Sequence, residues 1–354
     1  MRTSAPDDFG LPRRLWPGTT RKRVTRSRSP GVLFGHEFVA RANQADAEAS
    51  PAGRDLGDSM EPLVSVRVVT YNHLPYIAAC LEGILMQRTT FPFEVIVGDD
   101  CSMDGTREIV RSYQERFPAL VTAILGDQNV GLFANMRRVR GRARGRYHAL
   151  CDGDDQWIDP LKLQKQVDFL ESRPECTLCG HDALIVEDNH DRRPRWFCQS
   201  PPPVVMTMCD VLSRTGVAFP ASSLVVRREV YDDLPGWQAE FRAADNVVLL
   251  WAAHRGSLGF LPEAMSLYRK HSANLTLDLY DDLERYFAER EALLRRLDDA
   301  TNRRYHAEIE ASLARRGVWR RSWLRRRRCL KWLGRVVPLP KVRALASRLL
   351  GWLE

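Results

Sequence analysis

Apolar positions fall into two alternating rhythms, and together they predict a layered α/β domain that begins near residue 62. Residues 63–70 form an apolar, β-branched run that reads as a strand. Pro75 then opens a helix to about Gln87, with Ile77, Leu81, Ile84 and Leu85 at helical spacing. A second strand is expected over 93–98, a helix over 106–116 and a third strand over 121–125. Strand, helix, strand, helix, strand at this spacing predicts a parallel α/β unit. Further along, the pattern gives a helix over 135–144, a strand over 147–151 and a helix over 160–172. A strand pair follows around 177–187. Residues 190–220 read as loop-rich, with Pro201-Pro202-Pro203 inside them. A strand at 222–226, a helix at 245–254, a strand at 258–267 and a charged amphipathic helix at 279–297 complete the ordered pattern. No internal repeat is visible.

Composition limits the class. The chain has 354 residues, 44% hydrophobic and 28% charged, which excludes collagen-like and wholly disordered classes. No uncharged apolar run approaches the ~18 residues of a membrane helix. The Arg-rich, polar start has no apolar segment of a secretory signal, so a cytoplasmic setting is expected. Eight cysteines are too few for a disulfide scaffold, and reduced thiols are expected.

The net charge of +8 is unevenly placed. Residues 1–30 carry +6 and residues 301–354 carry +12, which leaves −10 for residues 31–300. An acidic body between two basic ends is unlike the basic working face of a nucleic-acid enzyme. Residues 1–60 lack periodicity and are expected to be mostly disordered, with 32–42 as a short ordered piece. The organisation expected is therefore a disordered 1–60, a domain over 61–275, an amphipathic helix over 276–300 and a basic tail over 301–354.

Two predicted strands end in acids: Asp99-Asp100 and Asp152-Gly153-Asp154-Asp155. Ligands of open α/β sheets bind outside the carboxyl ends of the strands. Carboxylates gathered there repel one another unless a cation lies among them. Oxygen ligands select Mg²⁺ or Mn²⁺, ions that commonly bridge to substrate phosphates. Helix capping near Thr106 and Pro160 accounts for one Asp in each cluster, but not for all five.

The ordered set Val64-Ser65-Val66, Thr70-Tyr71-Asn72, the run 97–106, Asn129-Val130-Gly131 and Asp152-Gly153-Asp154-Asp155-Gln156-Trp157 resembles the signature of family-2 glycosyltransferases. The likeness continues through 162–166 and Asp245 to Tyr268-Arg269-Lys270-His271. It implies a GT-A fold: a Rossmann-like mixed sheet flanked by helices, here with a helical basic C-terminal extension. It also implies roles. Thr70, Tyr71 and Asn72 would line the nucleotide pocket, with Tyr71 beside the base. Asp100 would accept a hydrogen bond from the base, and Asp99 would support that loop. Asp154 and Asp155 would bind the metal, with Asp152 completing a D-x-D pattern at the sugar nucleotide. Asp245 aligns with the catalytic base, although the usual Glu-Asp pair is Ala244-Asp245 here. His271 would reach the diphosphate.

Such chemistry needs a base on the acceptor hydroxyl and charge neutralisation on the departing diphosphate. The expected partners are a nucleotide-sugar donor, UDP-linked by expectation, and a glycan or lipid-linked acceptor, as in cell-surface polysaccharide synthesis. Nucleic acid is not expected as a partner. The Arg-rich run 137–146 reads as a solvated helix face from which one or two side chains could meet a diphosphate. Cys176, Cys179 and His181 resemble half a zinc site but lack a second Cys pair, so buried thiols are expected. The stretch 316–336 mixes Trp, Leu and Val with dense Arg, the composition of an interfacial helix on an anionic membrane at the inner face. Two rival readings are a Mg-dependent nucleotidyltransferase and a basic-tailed nucleic-acid-binding protein.

Overall fold

The computed structural model describes residues 61–187, 194–198, 200–214, 219–242, 244–272, 274 and 283–318. The expectations for 1–60 and for most of the basic tail fall outside these residues. Four parallel strands form the first half of one large sheet: β1 (Val64–Thr70), β2 (Phe93–Asp99), β3 (Val121–Leu125) and β4 (Tyr147–Asp152). Helices α1 (Ile77–Leu85), α2 (Thr106–Arg116) and α3 (Leu132–Arg140) connect them. The sheet runs β3-β2-β1-β4 and then crosses to the later strands. These include β5 (Gln156–Trp157), β6 (Cys176–Glu187), β9 (Val225–Arg227) and β10 (Ser257–Lys270). β9 lies antiparallel between β4 and β6, so the sheet is mixed.

Register places the acids. Thr70 pairs with Asp99, and Val69 pairs with Asp152. The three strands therefore end at one edge, and all their acids emerge there.

Several boundaries differ from the pattern for local reasons. The expected strand pair at 177–187 is a single strand, β6. Gly180 reads as a break, but a Cβ there would stand 2.7 Å from the Phe219 ring, so it marks close packing rather than a turn. The helix expected over 135–144 begins at Leu132, after Gly131 at φ +83°, and ends at Arg140. The loop-rich 190–220 holds two short strands, β7 (Arg195–Trp196) and β8 (Val205–Met206), and helix α5 (Met208–Ser213). Thr207 starts α5 with a capping box closed by Asp210.

Helix α4 (Lys162–Glu171) buries Lys162 completely. Its ammonium donates to Gln166 Oε1 at 2.7 Å and lies 3.9 Å above the Trp157 ring. Burial pushes it down to about 7. Four side chains of the Arg-rich run stitch the scaffold together. Arg138 donates to the Asp99 carbonyl, Arg140 to the Tyr231 carbonyl, Arg144 to Glu94 and Arg146 to Glu171. Cys176 and Cys179 are buried free thiols within apolar cores, as is Cys198. No group of three or more His, Cys, Asp or Glu that could hold a metal forms among the described residues.

A second core forms where α7 (Ala244–Arg255) packs with α5, α6 (Arg228–Asp232) and α8 (Leu283–Ala300). Leu293, Leu294 and Leu297 of α8 are buried in it, and so is Ile309 from the helical residues 306–318. Arg316 is buried as well and donates to the Arg214 carbonyl at 2.8 Å. This corrects the boundary expected at 301. The segment 301–318 belongs to the folded body, because its apolar face completes the core under α7. Among the described residues no helix is long and apolar enough to cross a membrane.

Candidate active site

The loops leaving β1 and β2 are tied into one rim. Asn72 sits at φ +56°, a left-handed conformation that Asn tolerates. Its N–H donates to Ser102 Oγ at 2.8 Å, and its Oδ1 accepts from the Met103 N–H at 3.0 Å. Between the anchored backbone at Thr70 and Asn72, Tyr71 projects outward with 45% of its surface exposed. Thr70 and Asp99 pair in register, and Thr70 Oγ1 and Asp99 Oδ2 are both buried without a hydrogen-bond partner.

Asp99 supports its loop through Oδ1, which accepts the Ser102 N–H at 3.0 Å. Asp100 is different from the reading that gave it to the base. Its two oxygens accept the Val130 N–H at 2.9 Å and the Gly131 N–H at 2.8 Å. It therefore fixes the turn that starts α3.

The end of β4 carries the acids. Gly153 is required by close approach, because a Cβ there would lie 2.7 Å from Thr70 Oγ1 and 2.9 Å from His73 Nδ1. Asp152, partly buried, makes no hydrogen bond through its carboxyl among the described residues. Burial pushes that carboxyl up to about 7, and the charges of Asp154 and Asp245 push the same way. Asp154 accepts at Oδ2 from Asn274 Nδ2 and pairs with His271 Nε2, each at 3.0 Å, and His73 Nε2 is 3.9 Å away. Burial would raise its carboxyl, but the His271 hydrogen bond and the charges of His73 and His271 outweigh that and hold it below the usual range.

Asp155, expected beside Asp154 as a metal ligand, is turned inward and only 1% exposed. Its Oδ1 accepts the Arg269 N–H at 3.1 Å, and its Oδ2 is buried without a partner. Burial, aided by Asp154 and Asp152, raises it well above the carboxylate range. The acids left facing the cleft from this turn are Asp152 and Asp154.

Arg269 binds the whole turn, donating to the Asp154 carbonyl at 2.9 Å and to Gln156 Oε1 at 2.7 Å. The Tyr76 ring stacks on His271 with centroids 4.8 Å apart. His271, expected to reach the diphosphate, lies against Asp154, while His73, Tyr76, Asn274 and the Arg269 clamp were missed. Their sequence signal is proximity alone: His73 directly follows the Asn72 loop, and Asn274 lies three residues beyond His271.

Asp245 stands in the first turn of α7, partly exposed, with its carboxyl raised by burial. It is near enough to Asp152 for its charge to raise that carboxyl. The donor set of Asp152 and Asp154 fits a hard divalent cation. It supplies carboxylate oxygens without thiols, one carboxyl is unpartnered, and a diphosphate can complete the coordination.

Residues 65–234 match the sequence profile of glycosyl transferase family 2. The chain is 36% identical over 232 residues to the uncharacterized protein Rv1520 of Mycobacterium tuberculosis, and the match spans 64% of each chain. Among solved structures it resembles S. aureus TarS 1–349 in complex with UDP-GlcNAc. That likeness has 20% identity over 72% of this chain and 71% of that one, with a TM-score of 0.53. It also resembles the mannosyltransferase PcManGT from Pyrobaculum calidifontis in complex with GDP-Man and Mn²⁺. There the identity is 18% over 90% and 88% of the two chains, with a TM-score of 0.52. The fold is GT-A, and residues 65–234 are those of a glycosyl transferase family 2 domain.

Proposed function

We propose that the protein transfers a sugar from a nucleotide-diphosphate donor, UDP-linked by preference, to a hydroxyl of a glycan or lipid-linked acceptor with inversion at the anomeric carbon. One observation carries this reading: the acid turn Asp152-Gly153-Asp154 ends β4 beside the rim formed by Thr70, Tyr71 and Asn72, and Asp245 at the start of α7 is near enough for its charge to act on Asp152. Tyr71 offers an exposed ring for the base, and Thr70 and Asp99 supply unpartnered oxygens below it. Asp152 and Asp154 would hold Mg²⁺ or Mn²⁺, which supplies charge neutralisation for the departing diphosphate. The resemblance to a mannosyltransferase structure with GDP-Man and Mn²⁺ is consistent with this donor chemistry.

Asp245 takes the proton of the acceptor hydroxyl as that oxygen attacks the anomeric carbon and the bond to the diphosphate breaks. One carboxylate outside the acid turn suits a single displacement, which needs a base and no enzyme nucleophile. A screen of nucleotide sugars for cation-dependent hydrolysis or thermal stabilisation tests the reading. Stabilisation by a nucleotide sugar with Mn²⁺, lost on adding EDTA, is expected. No response to any sugar nucleotide overturns it.

The acceptor side includes the tail in this proposal. Residues 319–336, outside the described residues, follow the helix 306–318 in sequence and are rich in Trp, Leu and clustered Arg. We place them on an anionic membrane at the inner face, where each Lys or Arg near the surface contributes about 1 kcal/mol. Truncation after Val318, which spares the buried Arg316 and Ile309, should abolish sedimentation with anionic vesicles and leave donor binding intact. Equal sedimentation of full-length and truncated protein would remove the membrane role.

A further inference from the structure

Helix α8 lies beyond the stretch that matches the family, yet it reaches the candidate base. Arg290 on α8 is 7% exposed, and its Nη1 donates to Asn246 Oδ1 at 2.6 Å. Asn246 is itself buried and directly follows Asp245 at the start of α7. We infer that Arg290 is a positioning residue for Asp245, fixing the first turn of α7 through Asn246 and presenting a buried positive charge that keeps the base ionised. This inference rests on the glycosyl-transfer reading above.

The electrostatics point the same way. A guanidinium removed from water costs several kcal/mol unless an anion compensates it. Among the described residues no carboxylate lies within ion-pair distance of Arg290, and its Nε has no hydrogen-bond partner. Arg316, also buried, lies close enough to Arg290 for the two positive charges to act on each other. Arg290 itself meets the first turn of α7, a helix N-terminus that is also positive.

The groups that act on Asp245 come from three sides. Asp152 of β4 is a like charge, and burial likewise favours the protonated acid. Tyr231 of α6 is neutral, held up by burial. The Asn246 N–H opposes the proton first, and Arg290 of α8 is the cation that adds to it. Without Arg290, burial favours the protonated acid more strongly. A base that has picked up a proton cannot accept one from the acceptor hydroxyl.

The test is the pH profile of kcat/KM in the full chain, measured for Arg290→Met and Arg290→Lys against wild type and Asp245→Asn. Methionine keeps the apolar stem against the α8 core and removes the charge. In Arg290→Met the acid limb should move to higher pH by about one unit. Turnover below the limb should then fall about tenfold and recover above it, with donor KM unchanged. Arg290→Lys, which keeps the charge, should leave the limb near its wild-type place.

A loss in Arg290→Met that is uniform with pH, or an unmoved limb beside an inactive Asp245→Asn, overturns the inference while the transferase reading stands. Full activity in Asp245→Asn removes both. Should Arg290→Met fail to fold, Asn246→Ala carries the same test. It releases the guanidinium from α7, and an unmoved limb in that variant overturns the inference equally.

Discussion

Replacing Asp154 by Asn should lower turnover by roughly 10²–10³, the cost of removing a preorganised group that stabilises developing charge, while the protein stays folded. Asn retains a side-chain oxygen for the donors at His271 and Asn274, so the end of β10 keeps its hydrogen bonds. What it loses is the negative charge, which the histidines and the hydrogen bond preserve in the folded protein. Donor titrations with and without Mn²⁺ locate the loss, since only the cation-dependent part of donor affinity should fall.

Asp155→Asn provides the contrast. Asp155 is turned inward, and burial raises its carboxyl well above the usual range, which favours the protonated form. Asn mimics that neutral form, and turnover should stay within about tenfold of wild type. If Asp155→Asn proves as damaging as Asp154→Asn, the cation is held by Asp155, and the inward orientation does not describe the working site.

The two adjacent acids show where sequence reading stops. The acid turn and its place at the strand ends were legible. Apolar runs of the right length end at Asp99 and Asp152, and parallel register brings those ends together. α2 and β3 also fall where the spacing puts them. Direction within the turn was not legible, because it depends on Arg269, more than a hundred residues away, whose N–H draws the Asp155 carboxyl inward.

The second task of Asp100, holding the turn before α3, was illegible for the same kind of reason. Its amide partners at Val130 and Gly131 belong to a loop that no local pattern connects to β2. The C-terminal boundary failed on charge. Arg290 and Arg316 make their helices look solvated, yet both side chains are buried against α7 and its neighbours. A long charged side chain covers apolar surface with its stem, so an amphipathic pattern rich in Arg underestimates how much of a helix docks.

Asp245→Asn should lower turnover by roughly 10²–10⁴, the range for a positioned general base, with donor affinity little changed. The separation of the two effects follows from the architecture. The donor rim and the acid turn are built from β1, β2, β4 and the end of β10, whereas Asp245 comes from α7. Asn at this position can still cap the first turn of α7, so a purely structural role predicts little loss. A base predicts a large one, because the amide cannot take the acceptor proton. Slow hydrolysis of the donor by water should fall less than transfer to the acceptor hydroxyl, which depends on the base for correct orientation. The stereochemistry of the product supplies an independent check. Inversion at the anomeric carbon follows from one displacement with Asp245 as the base, and a product that retains the donor configuration would require a nucleophile and exclude that role.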